Sequence, residues 1–410
     1  MNNRDTALLR WPPAGVSRVP YWLYTSDDVY RREQERIFGG AVWAYVGLAA
    51  EIPNPGDFRR TAIGDRPVIV VRDLTGAINV VENRCAHRGA QFCQKRSGNV
   101  SEFVCPYHKW TYDLAGTLRS VPFRRGMSDC GGMPDDFDMG QHGLRRLQVA
   151  ERNGVVFASF AADVEPLEQY LGPKMLPIFD RLFDGRPLRV LGYMRQAIPA
   201  NWKLMFENVK DPFHATLMHV FLVTFGLFRV DQPSAVCMDD TGRHAAMLFQ
   251  RGAAKDNDEL ARINALRRNL KLHDPTLLET QSEYSAYTNT MQTVWPNVIL
   301  QQQSNTLATR QIVTRGSSEF ELVWTFFGYA DDTEALTRLR LRQANLMGPA
   351  GFVALDDSEM MKYLHNGVVP YPEASSVVEM GGRDWRDEAH IITESAIRAF
   401  YDYYRKVMDL

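Results

Sequence analysis

Four residues able to bind metal stand in two short, matching stretches. Cys85-Ala86-His87 and Cys105-Pro106-Tyr107-His108 each carry one thiol and one imidazole, with residues 88–104 between them. A Rieske-type [2Fe–2S] cluster needs this ligand set, two Cys on one iron and two His on the other. The repeated Cys-then-His order lets each of two loops supply one thiolate and one imidazole, so that the loops clamp the cluster. Imidazole is neutral where thiolate is charged, which raises the reduction potential above that of an all-Cys cluster. A closed tetrahedral zinc site is the alternative, since the same donors form it. Zinc fingers, however, usually group Cys with Cys and His with His, whereas both pairs here are mixed.

A second concentration of chemistry is Asp211-Pro212-Phe213-His214 followed by His219. A mononuclear non-haem Fe(II) site needs two His and a carboxylate on one face of the metal, with positions left open for dioxygen. His214 and His219 are five apart, off a single face of an ideal helix, so the chain must start, loosen or widen a helix there, as a π-type turn would. Pro212 favours such an irregularity, lacking an N–H and restricting Asp211 before it. The pattern is not His-Glu-x-x-His, so a zinc protease is not indicated. The carboxylate lies far along the chain. Asp356-Asp357, after Gly348-Pro349-Ala350-Gly351, is the natural source, but adjacent acids also make an ordinary solvated helix start. Spacing leaves Asp356, Asp357 and Glu359 open.

The elements that must carry these residues fall into two styles. Residues up to Gly40 form an arm and one helix, Val29 to Phe38, with N-caps in Thr25-Ser26-Asp27-Asp28. From 41 to 160 the pattern is short strands and turns. A hairpin joins Val68–Val71 to Ile78–Val81, Phe103-Val104 leads into the second ligand loop, Trp110-Thr111-Tyr112 leads out, and Val155–Phe160 is a further strand. Beyond lie a helical stretch from Glu165 to Phe183 interrupted by Pro173 and Pro177, a strand at Leu188–Ile198 and an amphipathic helix at Leu260–Leu270. Two alternating strands follow, Val294–Val313 and Phe320–Tyr329, then helices at Leu336–Leu346 and Thr393–Met408. The expected fold is α+β: a small all-β domain at 41–160 within a larger α+β domain made of 1–40 and 161–410.

The 410 residues are enough for more than one core, and a net charge of −2 gives no nucleic-acid footprint. No apolar run is long enough for a membrane span, and Met1-Asn2-Asn3-Arg4-Asp5 lacks the apolar stretch of a signal peptide. The expected address is the cytoplasm, where Cys93, Cys130 and Cys237 read as unpaired structural thiols.

Cys85-Ala86-His87-Arg88-Gly89 with Cys105-Pro106-Tyr107-His108 resembles the Rieske motif of the large (α) subunits of aromatic-ring-hydroxylating oxygenases. Asn201-Trp202-Lys203-Leu204, Glu207-Asn208, Asp211 and His214 to His219 are similar to that family's catalytic-iron motif, and Gly348 to Gly351 with Asp356-Asp357 to its carboxylate loop. The likeness runs from Arg18 to Lys406 and departs at Phe213, where members commonly carry Tyr. It implies that Cys85, His87, Cys105 and His108 hold a [2Fe–2S] cluster, and that His214, His219 and Asp357 hold a mononuclear Fe(II) with O2 as co-substrate. Asp211 would bridge, accepting hydrogen bonds from His214 and from a cluster His of the neighbouring subunit, with Asn208 close by. The resemblance further implies a larger domain built on an antiparallel sheet of the helix-grip type. It also implies an α3 or α3β3 ring with a small β subunit. Electrons would come from NAD(P)H through a separate reductase and ferredoxin, since this chain has no GxGxxG fingerprint. Neither nucleic acid nor membrane is an expected partner.

Val19-Pro20-Tyr21-Trp22, Asn54 to Phe58 and Gln301-Gln302-Gln303 are most similar to the branch acting on benzoate-type acids, the salicylate 5-hydroxylases first, then terephthalate and anthranilate dioxygenases. The expected function is hydroxylation of an aromatic carboxylate, salicylate to gentisate. The alternatives are those dioxygenases, an O- or N-demethylase or, in another class, a zinc-stabilised binding protein. A carboxylate substrate needs a cation. If Val298–Val313 is one strand, Gln302, Ser304, Thr306, Ala308 and Arg310 share a face. Arg310 matches an Arg that binds a substrate carboxylate in the terephthalate enzyme, where a guanidinium offers a bidentate fork. A surface or inter-subunit Arg is the alternative. Ile391 stands where that enzyme has a second such Arg, so one acid group is expected. Gln302 and Val209 complete the expected substrate contacts. His142, His244, His273, His365 and His390 read as structural, and Trp110 and Trp202 as packing beside the metal loops.

Overall fold

The computed structural model describes residues 10–225, 227–250, 272–284 and 287–410. The helix expected at Leu260–Leu270 lies outside them. The chain forms two compact units, Phe38–Glu165 and Met1–Ile37 with Pro166–Leu410.

The smaller unit is built of short antiparallel strands in three sheets. Its four-stranded sheet runs Ile78–Glu82, Arg66–Arg72, Asp57–Ile63, Ser97–Asn99. Val68, Ile69, Val70 and Val71 are all buried in it, because β-branched side chains fill a pleated surface well. The expected hairpin closes on Asp73, whose carboxylate accepts from the N–H groups of Thr75 and Ala77, with Gly76 at φ +93°. The second sheet is Phe103–Val104, Thr111–Tyr112, Leu118–Ser120, and the third Gln148–Arg152, Val155–Ser159, Ala44–Leu48. Phe58, Ile69, Val81, Phe92, Phe103 and Tyr112 pack in one core with Cys85 and Cys105. The ligand loops therefore grow from a rigid apolar base.

The larger unit centres on a seven-stranded antiparallel sheet. Its order is Leu188–Ile198, Phe320–Tyr329, Thr306–Thr314, Val298–Gln303, Asn289–Val294, Ala245–Phe249, Ser234–Met238. The stretch expected as one strand, Val294–Val313, is two strands and the end of a third. It breaks at Trp295-Pro296-Asn297, where proline cannot donate to a ladder, and at Ser304-Asn305, a two-residue hairpin turn with Ser304 at φ +53°. Strands Val298–Gln303 and Thr306–Thr314 are buried along their whole length although rich in Gln and Thr. Helix Leu167–Leu182 is kinked at Gly172, φ +74°, ahead of Pro173.

Helix Asp27–Arg36 starts on Ser26, whose hydroxyl accepts from Val29 N–H, and buries Glu33. That carboxylate gathers Lys203 Nζ at 2.7 Å, Tyr404 OH at 2.6 Å and Trp202 Nε1 at 2.8 Å. Helix Lys203–Lys210 is thereby pinned at its start to the N-terminal helix and to helix Ser395–Met408. Removing one partner of such a buried pair costs about 3–5 kcal/mol. No helix among the described residues is long and apolar enough to cross a membrane.

Candidate active site

His214, His219 and Asp357 converge, each offering one ligand atom, and these atoms lie within 4.8 Å of one another. The backbone achieves this by one of the expected irregularities, a new helix start, with no π-type turn. Pro212–Thr216 is a 3-10 turn with Pro212 in its first position, and His219, at φ −77° ψ 81°, stands just ahead of a new helix, Val220–Thr224. The tight turn and the break swing both imidazoles to one side. Asp357 comes from helix Phe352–Val368, which starts after Gly351. Its Oδ1 lies 3.4 Å from His214 Nε2 and 3.2 Å from His219 Nε2, and accepts from Asn208 Nδ2 at 3.0 Å. Of the acids left open by spacing, Asp356 approaches the far side of His219, Nδ1 to Oδ2 3.4 Å, and Glu359 pairs with Lys362.

His214 Nδ1 is hydrogen-bonded to the backbone carbonyl of Asp211, which fixes the ring and leaves Nε2 facing Asp357. The Asp211 carboxylate is not the partner: its Oδ2 is 3.9 Å away, and its buried Oδ1 has no hydrogen-bond partner. Burial raises the Asp211 carboxyl to about 6. Asp357 is also buried, which alone would raise it, yet the two imidazoles hold it well below the usual carboxylate range. Two imidazoles and one ionised carboxylate fit the facial triad of a non-haem Fe(II).

In the smaller unit the two ligand loops have the same backbone design. Cys85 N–H donates to Ala90 O and Gly89 N–H to Cys85 O; Cys105 N–H donates to Trp110 O and Lys109 N–H to Cys105 O. Gly89 and Lys109 occupy the same place in their loops with φ +74° and +59°. Both thiols are buried, and the His87 and His108 rings stand 4.6 Å apart. Trp110 stacks on His87 at 4.8 Å and 8°, and Tyr112 OH lies 3.2 Å from Cys85 Sγ. Among the described residues, His214, His219 and Asp357 alone bring three such donors to one point. The paired loops, each offering one thiol and one imidazole, fit a two-iron cluster.

Beside the triad opens a cavity that both imidazoles and Asp357 help to line. Its walls are apolar, with Leu222, Phe228, Met247, Phe249, Met291 and Trp324, and its polar groups are Asn208, Gln301, Gln303 and Arg310 besides the triad.

Residues 42–130 match the Rieske [2Fe-2S] domain, and residues 183–410 match the ring hydroxylating alpha subunit catalytic domain. The chain is 52% identical to the large oxygenase component of salicylate 5-hydroxylase from Ralstonia sp., covering 97% of this chain and 96% of that one. It is 45% identical to the large subunit of anthranilate 1,2-dioxygenase from Burkholderia cepacia, covering 98% and 96%. The chain is a ring-hydroxylating oxygenase α subunit. Its fold is that of naphthalene 1,2-dioxygenase from Rhodococcus sp., with a TM-score of 0.80 at 24% identity over 95% of this chain and 94% of that one. The oxygenase uses a Rieske [2Fe–2S] cluster and a mononuclear iron with dioxygen.

Within the oxygenase the expected substrate contacts divide. Val209 and Arg310 line the cavity; Gln302 does not. Its amide donates to the carbonyls of Thr288 and Ser304 on the other face of the sheet. Reading one strand through the turn put it beside Arg310. In the hairpin Gln301 pairs with Ala308 and Ile299 with Arg310, so the odd positions of the first arm share a face with the even positions of the second. Gln301 and Gln303 are the residues this reading missed, and the Ser-Asn turn signal would have found them. Asp356 lies behind His219 and Tyr112 beside Cys85, contacts that no spacing rule assigns. Ile391 is fully buried and is not among the cavity residues.

Arg310 is 4% exposed, with Nη1 donating to Gln301 Oε1 at 3.2 Å, Nη2 to the Met205 sulfur, and its guanidinium 4.4 Å from the Trp324 ring. Its buried Nε has no hydrogen-bond partner, and the negative charge that acts on it, that of Asp357 in the triad, does so without forming an ion pair. Burial lowers its pKa to about 10, which leaves it charged at neutral pH.

Proposed function

We propose that this oxygenase is the terminal component of a system that hydroxylates a benzoate-type acid, with salicylate converted to gentisate by attack at ring position 5. One observation carries the reading: a buried guanidinium without a carboxylate partner lies on the wall of an apolar cavity that also contains the His214–His219–Asp357 triad. A buried unpaired charge is costly, and a substrate carboxylate relieves it with a bidentate pair. Arg310 is the one Lys or Arg among the described cavity residues, which favours one acid group over the two of terephthalate. Similarity to the salicylate enzyme adds weight.

In this reading His214, His219 and Asp357 hold the iron, and Cys85, His87, Cys105 and His108 the cluster. When bound, the cluster supplies single electrons and the iron activates dioxygen. The residues of the chain position, shield and move protons. Arg310 anchors the carboxylate and sets the ring's place, Val209 and the Met and Phe walls exclude water, and Asn208 steadies Asp357 through its hydrogen bond. Asp211 holds His214 through its carbonyl and keeps an unpartnered oxygen for a cluster histidine of a neighbouring subunit in an α3 or α3β3 ring. Reductase and ferredoxin bring the electrons from NAD(P)H. In the overall reaction one oxygen atom enters the ring and the other leaves as water, with two electrons and two protons consumed.

The test is product analysis under labelled dioxygen. The protein, coexpressed with a small β subunit and supplied with a surrogate ferredoxin and reductase, is offered salicylate, anthranilate, benzoate and terephthalate. One labelled oxygen in gentisate is expected. Two labelled oxygens in the product, or preferred turnover of terephthalate, would rule this reading out and leave the iron chemistry standing.

A further inference from the structure

Gln301 and Gln303 are joined to Arg310 in a way that fixes which end of each amide faces which neighbour. Arg310 Nη1 is 3.2 Å from Gln301 Oε1, and Gln301 Nε2 is 3.1 Å from Gln303 Oε1. All three side chains are buried and line the cavity. A guanidinium has donors only, so the Gln301 atom that meets it is the carbonyl oxygen. That turns the Gln301 NH2 toward Gln303, and the atom receiving it is again a carbonyl oxygen. The Gln303 NH2 is the end left over, with no hydrogen-bond partner among the described residues. The polarity of this small chain is therefore dictated by the charge at its head.

We infer that the Arg310–Gln301–Gln303 chain makes Gln303 a donor-only contact that selects a ring oxygen next to the substrate carboxylate, favouring an ortho-hydroxy over an ortho-amino benzoate. The inference rests on the reading of Arg310 as the carboxylate anchor. With the carboxylate on Arg310, a neighbouring phenolic hydroxyl gives its hydrogen to that carboxylate and keeps lone pairs for Gln303. An aromatic amine has its lone pair drawn into the ring and presents N–H where Gln303 also presents N–H. Two donors then meet in a water-poor wall and one stays unpaired, which is how a polar site rejects a near-isostere. Gln302, on the opposite face, has no part in this.

The test is calorimetric binding of benzoate, salicylate and anthranilate to the iron-loaded, full-length protein without reductant. Wild type is expected to bind salicylate about three- to tenfold more tightly than anthranilate, the size of one net hydrogen bond. Gln303→Leu is expected to bring that ratio close to one, whatever it does to the affinity for all three acids together. Gln303→Glu keeps the size, accepts from Gln301 and offers the ligand an acceptor, so the ratio should invert toward anthranilate. Its added charge weakens all three acids alike and cancels in the ratio, which keeps the test valid if the leucine variant does not fold. A salicylate-to-anthranilate ratio unmoved by both changes overturns the selection by Gln303, even where Arg310→Leu loses benzoate binding and the carboxylate anchor stands. Benzoate binding unaffected in Arg310→Leu overturns the anchor itself.

Discussion

Two imidazoles meet at Asp357 because one backbone carbonyl, one carboxylate and one amide hold the side chains still. The Asp211 carbonyl fixes His214, Asp356 approaches the back of His219, and Asn208 donates to Asp357 itself. Asp211 shows how a residue can serve through its backbone while its carboxylate waits. Its buried Oδ1 is unpartnered, and its neighbour His214 is held by the main chain rather than by the side chain. Asp211→Asn keeps that carbonyl and changes only the carboxylate. It is expected to retain iron and acid-labile sulfide while turnover falls about 10- to 100-fold, the usual scale for a residue behind the ligands. Metal analysis beside steady-state rates checks this; wild-type rates with coupled product formation would remove the bridge from the mechanism.

At the scale of elements, helix Lys203–Lys210 and helix Phe352–Val368 set the site. The second begins where Gly348 and Gly351 allow close backbone approach: a Cβ on Gly351 would collide with the carbonyl oxygens of Asn345 and Leu346. Gly351→Ala is expected to shift the helix start, carry Asp357 with it and lower bound iron well below that of wild type, read by metal analysis of the folded protein. The first helix ends on Lys210, fully buried, with Nζ donating to Thr293 Oγ1 at 2.8 Å. Burial pushes its pKa down from 10.5 to about 7. The folded state sheds a proton that the unfolded chain keeps, so this group makes stability rise with pH between about 7 and 10.5 and leaves it lowest below 7. Lys210→Met, similar in volume, should be more stable than wild type at pH 7. That advantage should shrink by about 2–3 kcal/mol by pH 9 in denaturant titrations. An advantage equal at both pH values would show that Lys210 stays charged in the fold.

For the whole molecule, the two metal sites belong to separate compact units, each with its own apolar base. Cys105→Ser should therefore abolish the visible absorption of the cluster and its acid-labile sulfide while the mononuclear iron remains bound to His214, His219 and Asp357. Loss of that iron too would show that the folding of the larger unit depends on the cluster. The same separation explains why the two ligand sets were legible in different degrees. Cys85–His87 and Cys105–His108 are local in sequence, and each loop closes on its own backbone hydrogen bonds. His214 and His219 are also local, but their acid arrives from residue 357, a distance no spacing rule spans.

The sequence by itself determined the candidate ligand types and the irregular chain after Pro212, because these depend on side-chain chemistry and local backbone preference. Tertiary structure alone decided the rest. It made the expected irregularity a 3-10 turn and a new helix start, since what counts is where the two rings point. It also decided that Gln301 and Gln303, and not Gln302, share the cavity with Arg310. A single turn residue in the left-handed region reverses the parity of every position beyond it, and that parity exists only when two strands are paired.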